Sequence, residues 1–246
     1  MAKILITGSN SGFGFLAALT LARQGHQVVA TMRDVSKGGE LFRTAQAEKL
    51  ALEIVELDVN DSASVEQCLA NPESIDVLVN NAGFEVEAAI EQIDDQLMQQ
   101  QFETNVMGPL RTMRAVLPAW KERGSGVVIN VSSIAGRVGS PYSGAYSASK
   151  FALEALSESL NFEVSQLGIR VHLIEPGRFA TSFKNNKVRP DCWEGSAQQQ
   201  RSLAFRAASS GLGGHGEPPD PQLVADAIAQ AATDASTPFR TLVGDD

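Results

Sequence analysis

The sequence predicts an α/β domain in which a doubly wound parallel sheet carries helices on both faces. Three observations predict it. Short β-branched apolar runs recur along the chain, the longer stretches between them carry apolar residues at helical spacing, and the first run leads straight into a glycine-rich turn. The strand-like runs fall at residues 4–6, 28–29, 54–55, 77–79, 127–131 and 171–174. Helical spacing covers 13–23, 62–69, 97–123 and 145–166, and right-handed crossovers would place these segments on both faces. The rhythm breaks at about 182–219, a stretch rich in Ser, Gly, Gln and Asn with scattered Phe183, Trp193 and Phe205. It resumes as a helix over 221–231 and a last strand around 240–243, so one domain over residues 1–246 is the economical reading.

Composition narrows the function classes. The 246 residues carry a net charge of -9, which opposes a nucleic-acid or acidic-membrane partner, since either asks for a basic face. The two cysteines, Cys68 and Cys192, lie far apart with no CxxC or Cys/His cluster, pointing to a reducing, cytoplasmic setting without disulfides or zinc. The apolar start at 4–6 is a short buried strand, too brief for a signal peptide or a membrane span. His26, His172 and His215 share no ligand spacing, so no metal is expected, and Met98, Met107 and Met113 read as helix packing.

The turn after the first strand reads Thr7-Gly-Ser-Asn-Ser-Gly-Phe-Gly14. Its glycines permit a tight bend and close backbone approach, and the following helix offers N–H groups and a positive dipole end to a pyrophosphate. Gly8, Ser9, Asn10, Ser11, Gly12, Phe13 and Gly14 are therefore candidate dinucleotide contacts. At the end of the second strand, in Ala30-Thr-Met-Arg-Asp34, Met32 stands where an acidic residue would hold the ribose of NAD. Arg33 could pair with a 2′-phosphate through its planar fork, favouring NADP over NAD; the rival reading is a solvated arginine beside Asp34, which could itself reach a ribose. Asp58 and Val59 close the third strand, where the carboxylate either accepts the adenine amino group or caps the next helix.

Tyr146 and Lys150 lie four residues apart in Tyr-Ser-Ala-Ser-Lys, on one face of a predicted helix. A free phenol, with a pKa of about 10, is a poor acid or base near neutrality; a neighbouring ammonium would bring it down towards working pH. Ser133, thirteen residues before Tyr146, could bring its hydroxyl to the same substrate oxygen. This combination points to chemistry at a carbonyl or alcohol.

In order and spacing, Thr7-Gly-x-x-x-Gly-x-Gly14, Asn80-Asn-Ala-Gly83, Asn105, Ser133, Tyr146-x-x-x-Lys150 and Pro176-Gly177 resemble the short-chain dehydrogenase/reductase family, in its compact oxidoreductase branch, over nearly the whole chain. The resemblance implies a Rossmann-type fold and an NADP-dependent oxidoreductase acting on a small-molecule carbonyl or secondary alcohol. Tyr146 would be the general acid/base, Lys150 would lower its pKa and bind the nicotinamide ribose, and Ser133 would orient the reacting oxygen. Asn105 would hold a relay water behind Lys150, or else kink its helix while satisfied by backbone. Asn80, Asn81, Ala82 and Gly83 would line the adenosine side; Pro176, Gly177 and Thr181 would contact the carboxamide, where a Pro-Gly turn without a ligand is the rival. A weaker resemblance is to NADP-linked reductases of the retinol and 17β-hydroxysteroid type, against which Glu85 and Glu87 place two carboxylates beside the expected substrate cleft. The 182–219 segment would act as a substrate loop, with Trp193 and Phe205 either covering substrate or packing beneath the loop. A homodimer or homotetramer through helices 97–123 and 145–166 is the family manner. The alternatives are a dinucleotide-sensing protein without turnover, or a lyase or epimerase that uses the same Tyr-Lys pair.

Overall fold

A computed structural model describes residues 1–181, 183, 186–209 and 219–244. Seven parallel strands form one sheet in the order β3-β2-β1-β4-β5-β6-β7. They are β1 (Lys3–Ile6), β2 (Gln27–Met32), β3 (Leu52–Glu56), β4 (Val77–Asn80), β5 (Gly126–Val131), β6 (Ile169–Pro176) and β7 (Arg240–Val243). The order reverses at β1, so β1 and β4 are neighbours, and Ile4, Leu5 and Ile6 align with Val77, Leu78 and Val79. That reversal opens a crevice at the carboxyl ends, where open α/β sheets bind ligands.

Strand alternation sends successive side chains to opposite faces. Ile4, Ile6, Val28, Val77 and Ile129 pack against α1 (Gly12–Arg23) and α8 (Gln222–Thr233) in one apolar layer. Leu5, Val29, Leu78, Val128 and Val171 face the other way, towards α3 (Ser62–Cys68), α5 (Gly108–Arg123) and α6 (Gly144–Val164). Trp120 fills the second layer, fully buried, and its indole donates to the Ile75 carbonyl at 2.8 Å. Among the described residues, no helix is long and apolar enough to cross a membrane.

Three elements differ from the sequence expectation. The segment 97–123 is not one helix: α4 (Asp95–Phe102) passes through a π-helical turn at Glu103–Met107 into α5. Pro109 has no N–H for the α-helical ladder, while the Gly108 N–H bonds back five residues to Glu103, so the ladder is offset there. The short helix α2 (Gly39–Ala47) joins β2 to β3, burying Leu41 and Ala45 one turn apart. The expected irregular loop carries helix α7 (Ala197–Ser209), whose run of Ala, Gln, Arg and Leu has good helix propensity despite its weak apolar periodicity. Residues 210–218 of that loop, with His215, lie outside the described residues.

Candidate active site

Thr7 sews the glycine-rich turn to the end of β4. Its hydroxyl accepts from the N–H groups of Asn81 and Ala82, both at 3.0 Å, and the Asn81 amide donates to the carbonyls of Thr7 at 2.9 Å and Gly8 at 3.0 Å. This close fit explains two glycines. A Cβ on Gly8, whose φ is +69°, would fall 2.8 Å from the Ala82 Cα; one on Gly14 would fall 2.5 Å from the Gly8 carbonyl oxygen.

A cleft of about 1480 Å3 runs from this turn across the strand ends. It exceeds the roughly 300–1,000 Å3 of ordinary small-molecule sites, leaving room for a dinucleotide and a substrate together. The predicted residues Gly8, Asn10, Ser11, Gly12, Phe13, Arg33, Asp58, Val59, Asn81, Ala82, Gly83, Ser133, Tyr146, Lys150, Pro176, Gly177 and Thr181 all line it. Three predicted contacts do not. Ser9 is fully buried with its hydroxyl on the Ile6 carbonyl at 3.0 Å, and Gly14 lies inside the turn against Asn81. Asn80 faces the core instead, bonding Asn130 at 2.9 Å and accepting from Thr112 at 2.6 Å.

The cleft suits a dinucleotide phosphate. Ser11 caps α1 without spending its side chain on the helix, so the first-turn N–H groups face the turn free of a side-chain acceptor. Among the described residues Arg33 has no hydrogen-bond or ion-pair partner, and Lys37, which the sequence reading missed, lines the cleft beside it. Asp34 is spent on Ser36, accepting from its N–H at 3.0 Å and its hydroxyl at 2.6 Å, and does not line the cleft. Asp58 accepts from the Asn60 N–H at 2.9 Å and is not the helix cap, a role taken by Asp61.

At the other end stand Ser133, Tyr146 and Lys150. Ser133 caps a short 3-10 turn, its hydroxyl accepting from the Ala135 N–H at 3.1 Å and donating to the Pro176 carbonyl at 3.4 Å. Lys150 is buried in α6, its Nζ 5.7 Å from the centre of the Tyr146 ring and donating to the Val131 carbonyl at 2.7 Å. Burial brings the Lys150 ammonium down to about 8, with Glu154 working in the opposite direction. The expectation that Lys150 lowers the Tyr146 phenol is corrected here. Burial pushes that phenol above its ordinary value, the Ser133 hydroxyl opposes this, and Glu85 adds to it. The ammonium is directed at a backbone carbonyl rather than at the phenolic oxygen, so desolvation wins.

Asn105 does not line the cleft. It lies buried in the π-helical turn, donating to the Phe84 carbonyl at 3.0 Å and to the Ser149 hydroxyl at 3.1 Å, while accepting from the Phe84 N–H at 3.2 Å. Glu85 and Glu87 are buried among cations instead of standing bare in the cleft: Lys187 is 2.9 Å from Glu85, and Arg189 is 2.8 Å from Glu87. Trp193 is buried and packs on Tyr142, ring centres 6.0 Å apart, whereas Phe205 of α7 lines the cleft. Phe179 was not anticipated; it meets Phe13 edge-on at 5.7 Å and lines the cleft. His26 accepts from the Ala2 N–H, and His172 is buried beside the Pro238 carbonyl at 3.0 Å. Among the described residues no group of three or more His, Cys, Asp or Glu could hold a metal ion.

Comparison with known proteins agrees with this fold. A family model described as short chain dehydrogenase matches residues 2–191. A 3-ketodihydrosphingosine reductase of Bacteroides thetaiotaomicron is 36% identical over 252 residues, covering 98% of this chain and 87% of that protein. Retinol dehydrogenase 8 of Bos taurus is 43% identical over 188 residues, covering 74% of this chain and 60% of that protein. Among solved structures, a short-chain dehydrogenase from Streptomyces avermitilis superposes with a TM-score of 0.85 at 36% identity, over 99% of this chain and 88% of that one.

Proposed function

The chain belongs to the short-chain dehydrogenase family of NAD(P)-dependent oxidoreductases, and from that premise we propose that it uses NADP to interconvert a carbonyl and a secondary alcohol. The observation that carries this reading is the meeting of Ser133, Tyr146 and Lys150 in one cleft with the glycine-rich turn. The bound nicotinamide supplies or accepts the hydride. Tyr146 gives a proton to the carbonyl oxygen in reduction and takes it back in oxidation, while the Ser133 hydroxyl holds that oxygen in place. Lys150 holds the nicotinamide ribose once its ammonium turns from the Val131 carbonyl. Asn105, tied to Phe84 and Ser149, keeps the π-helical turn behind Lys150 and holds the relay water there.

Arg33, with Lys37 beside it, selects NADP by pairing with the 2′-phosphate. The substrate is a small molecule with an apolar body, since Phe84, Phe183, Val188 and Phe205 line the far end of the cleft. Two free thiols, Cys68 half-buried and Cys192 exposed, suit the cytoplasm. A homodimer or homotetramer would cover Phe151 and Phe162, which α6 leaves 46% and 74% exposed. Nicotinamide absorbance followed with NADPH or NADH and a panel of ketones and aldehydes tests the reading. Carbonyl-dependent oxidation of NADPH in preference to NADH is expected; oxidation of neither would overturn it.

A further inference from the structure

Glu85 and Glu87, just beyond β4, are buried carboxylates with no part in the proposed proton transfer. Their partners come from the segment over the cleft. The Lys187 Nζ stands 2.9 Å from Glu85 and 3.8 Å from Glu87, Arg189 lies 2.8 Å from Glu87, and Arg206 of α7 also pairs with Glu87. A backbone bridge runs alongside: the Glu87 N–H donates to the Val188 carbonyl and the Val188 N–H to the Glu85 carbonyl, both at 2.9 Å. Lys187 is thus seated against the two carboxylates by its own ion pairs and by the contacts of the two residues that follow it.

Glu85 also faces α6. It accepts from the Ser143 hydroxyl at 2.7 Å, and Ser143 lies one helical turn before Tyr146 on the same face. Glu85, Lys187 and Tyr146 line the same cleft, with the Phe183 ring tilted against the Tyr146 ring, centres 5.8 Å apart. Lys150 from α6 stands 5.7 Å from the centre of the phenol ring and Arg178 from beyond β6 lines the same cleft, while Arg189 and Arg206 attend Glu87. After burial, Glu85 is the charge that most resists loss of the Tyr146 proton. An ammonium seated on that carboxylate offsets the resistance.

We propose that Glu85 and Lys187 are positioning residues that form an electrostatic link between the docked 186–209 segment and the Tyr146 hydroxyl. With Lys187 seated, Glu85 is paired and the proton leaves Tyr146 more readily. With the segment lifted, the bare carboxylate holds that proton in place. The active-site acid/base is therefore tuned only while the cleft is covered. This inference rests on the reading of Tyr146 as the acid/base.

The test follows oxidation of 1-phenylethanol by NADP, in which the carbinol hydride goes to the nicotinamide and the hydroxyl proton to Tyr146. The acid limb of its pH profile reports proton removal at the site. Lys187→Met should move that limb up by about 0.5–1 pH unit, the scale of one nearby charge left unpaired. Glu85→Gln should move it down, the double variant should return near the wild-type limb, and Lys187→Arg should coincide with it. A merely structural role would lower the rate at every pH and leave the limb where it was. Single-variant limbs that match wild type would overturn the link while leaving the proposed function standing. Should the wild-type protein oxidise no alcohol, the proposed function has failed, and a second measurement still decides the link. The chain has 2 tyrosines, so Tyr142→Phe leaves Tyr146 as its one phenol, whose phenolate absorbance can be titrated with NADP bound. The same two opposite shifts are expected there, and their absence would overturn the link.

Discussion

Lys150 is held near 8 by burial, with its ammonium on the Val131 carbonyl. A group whose folded value lies below its ordinary one is charged only below the depressed value. If the ammonium holds the nicotinamide ribose, NADPH affinity should be greatest below pH 8 and weaken as pH rises through it, by up to about tenfold per unit. Fluorescence titration from pH 6.5 to 9.5 checks this, and Lys150→Met should flatten the dependence; an unchanged slope would remove Lys150 from the ribose. Arg33→Ala should weaken NADPH by roughly ten- to hundredfold, the loss of a charge-assisted hydrogen bond, with NADH little altered. Equal losses for both would return Arg33 to the solvated surface. The spacing of Tyr146, Lys150 and Ser133 made these residues legible in the sequence, because their meeting needs only one helix and one strand end. The direction of the Tyr146 shift was not legible: it depends on how deeply the ring is buried and on Glu85, sixty-one positions away in the chain.

The glycine-rich turn works as an element because backbone packs on backbone. A Cβ on Gly14 meets the carbonyl of Gly8, which has no flexible end to swing aside. Gly14→Ala should therefore displace the turn and cost most of the dinucleotide affinity, by calorimetry, while leaving a folded sheet by circular dichroism. The covering segment is held differently, by Glu87 with Lys187, Arg189 and Arg206. Glu87→Gln should speed amide exchange over 187–206 and leave β4 to β6 unchanged, and NADP with substrate should slow exchange there in the wild type. Exchange as slow as in the strands, and unmoved by the substitution, would make the segment a fixed wall. The strands were legible because six β-branched runs announce them. Helix α7 was not, since its apolar residues follow no period and its partner is a carboxylate rather than a core. Ser9 and Asn80 were misread for a related reason: a motif gives positions along the chain, and only the pleat decides which side chain turns inward.

At the scale of the molecule, the sheet order places the glycine-rich turn after β1 and the Ser133 turn after β5 on either side of β4. One cleft therefore runs past both turns, and Phe183, Val188 and Phe205 line it further along. The exposed Phe151 and Phe162 of α6 predict self-association through that face. Sedimentation should give a dimer or larger species, and Phe162→Glu should shift it towards monomer; a wild-type monomer would contradict this. The central claim, that Tyr146 transfers the proton at a substrate oxygen, is tested most directly by Tyr146→Phe, measured for NADPH binding and for single-turnover ketone reduction in the same preparation. The account predicts near wild-type NADPH affinity with turnover reduced by about 10²–10⁴-fold, because the hydroxyl acts on the substrate in the transition state. Reduction at the wild-type rate by the phenylalanine variant would contradict it.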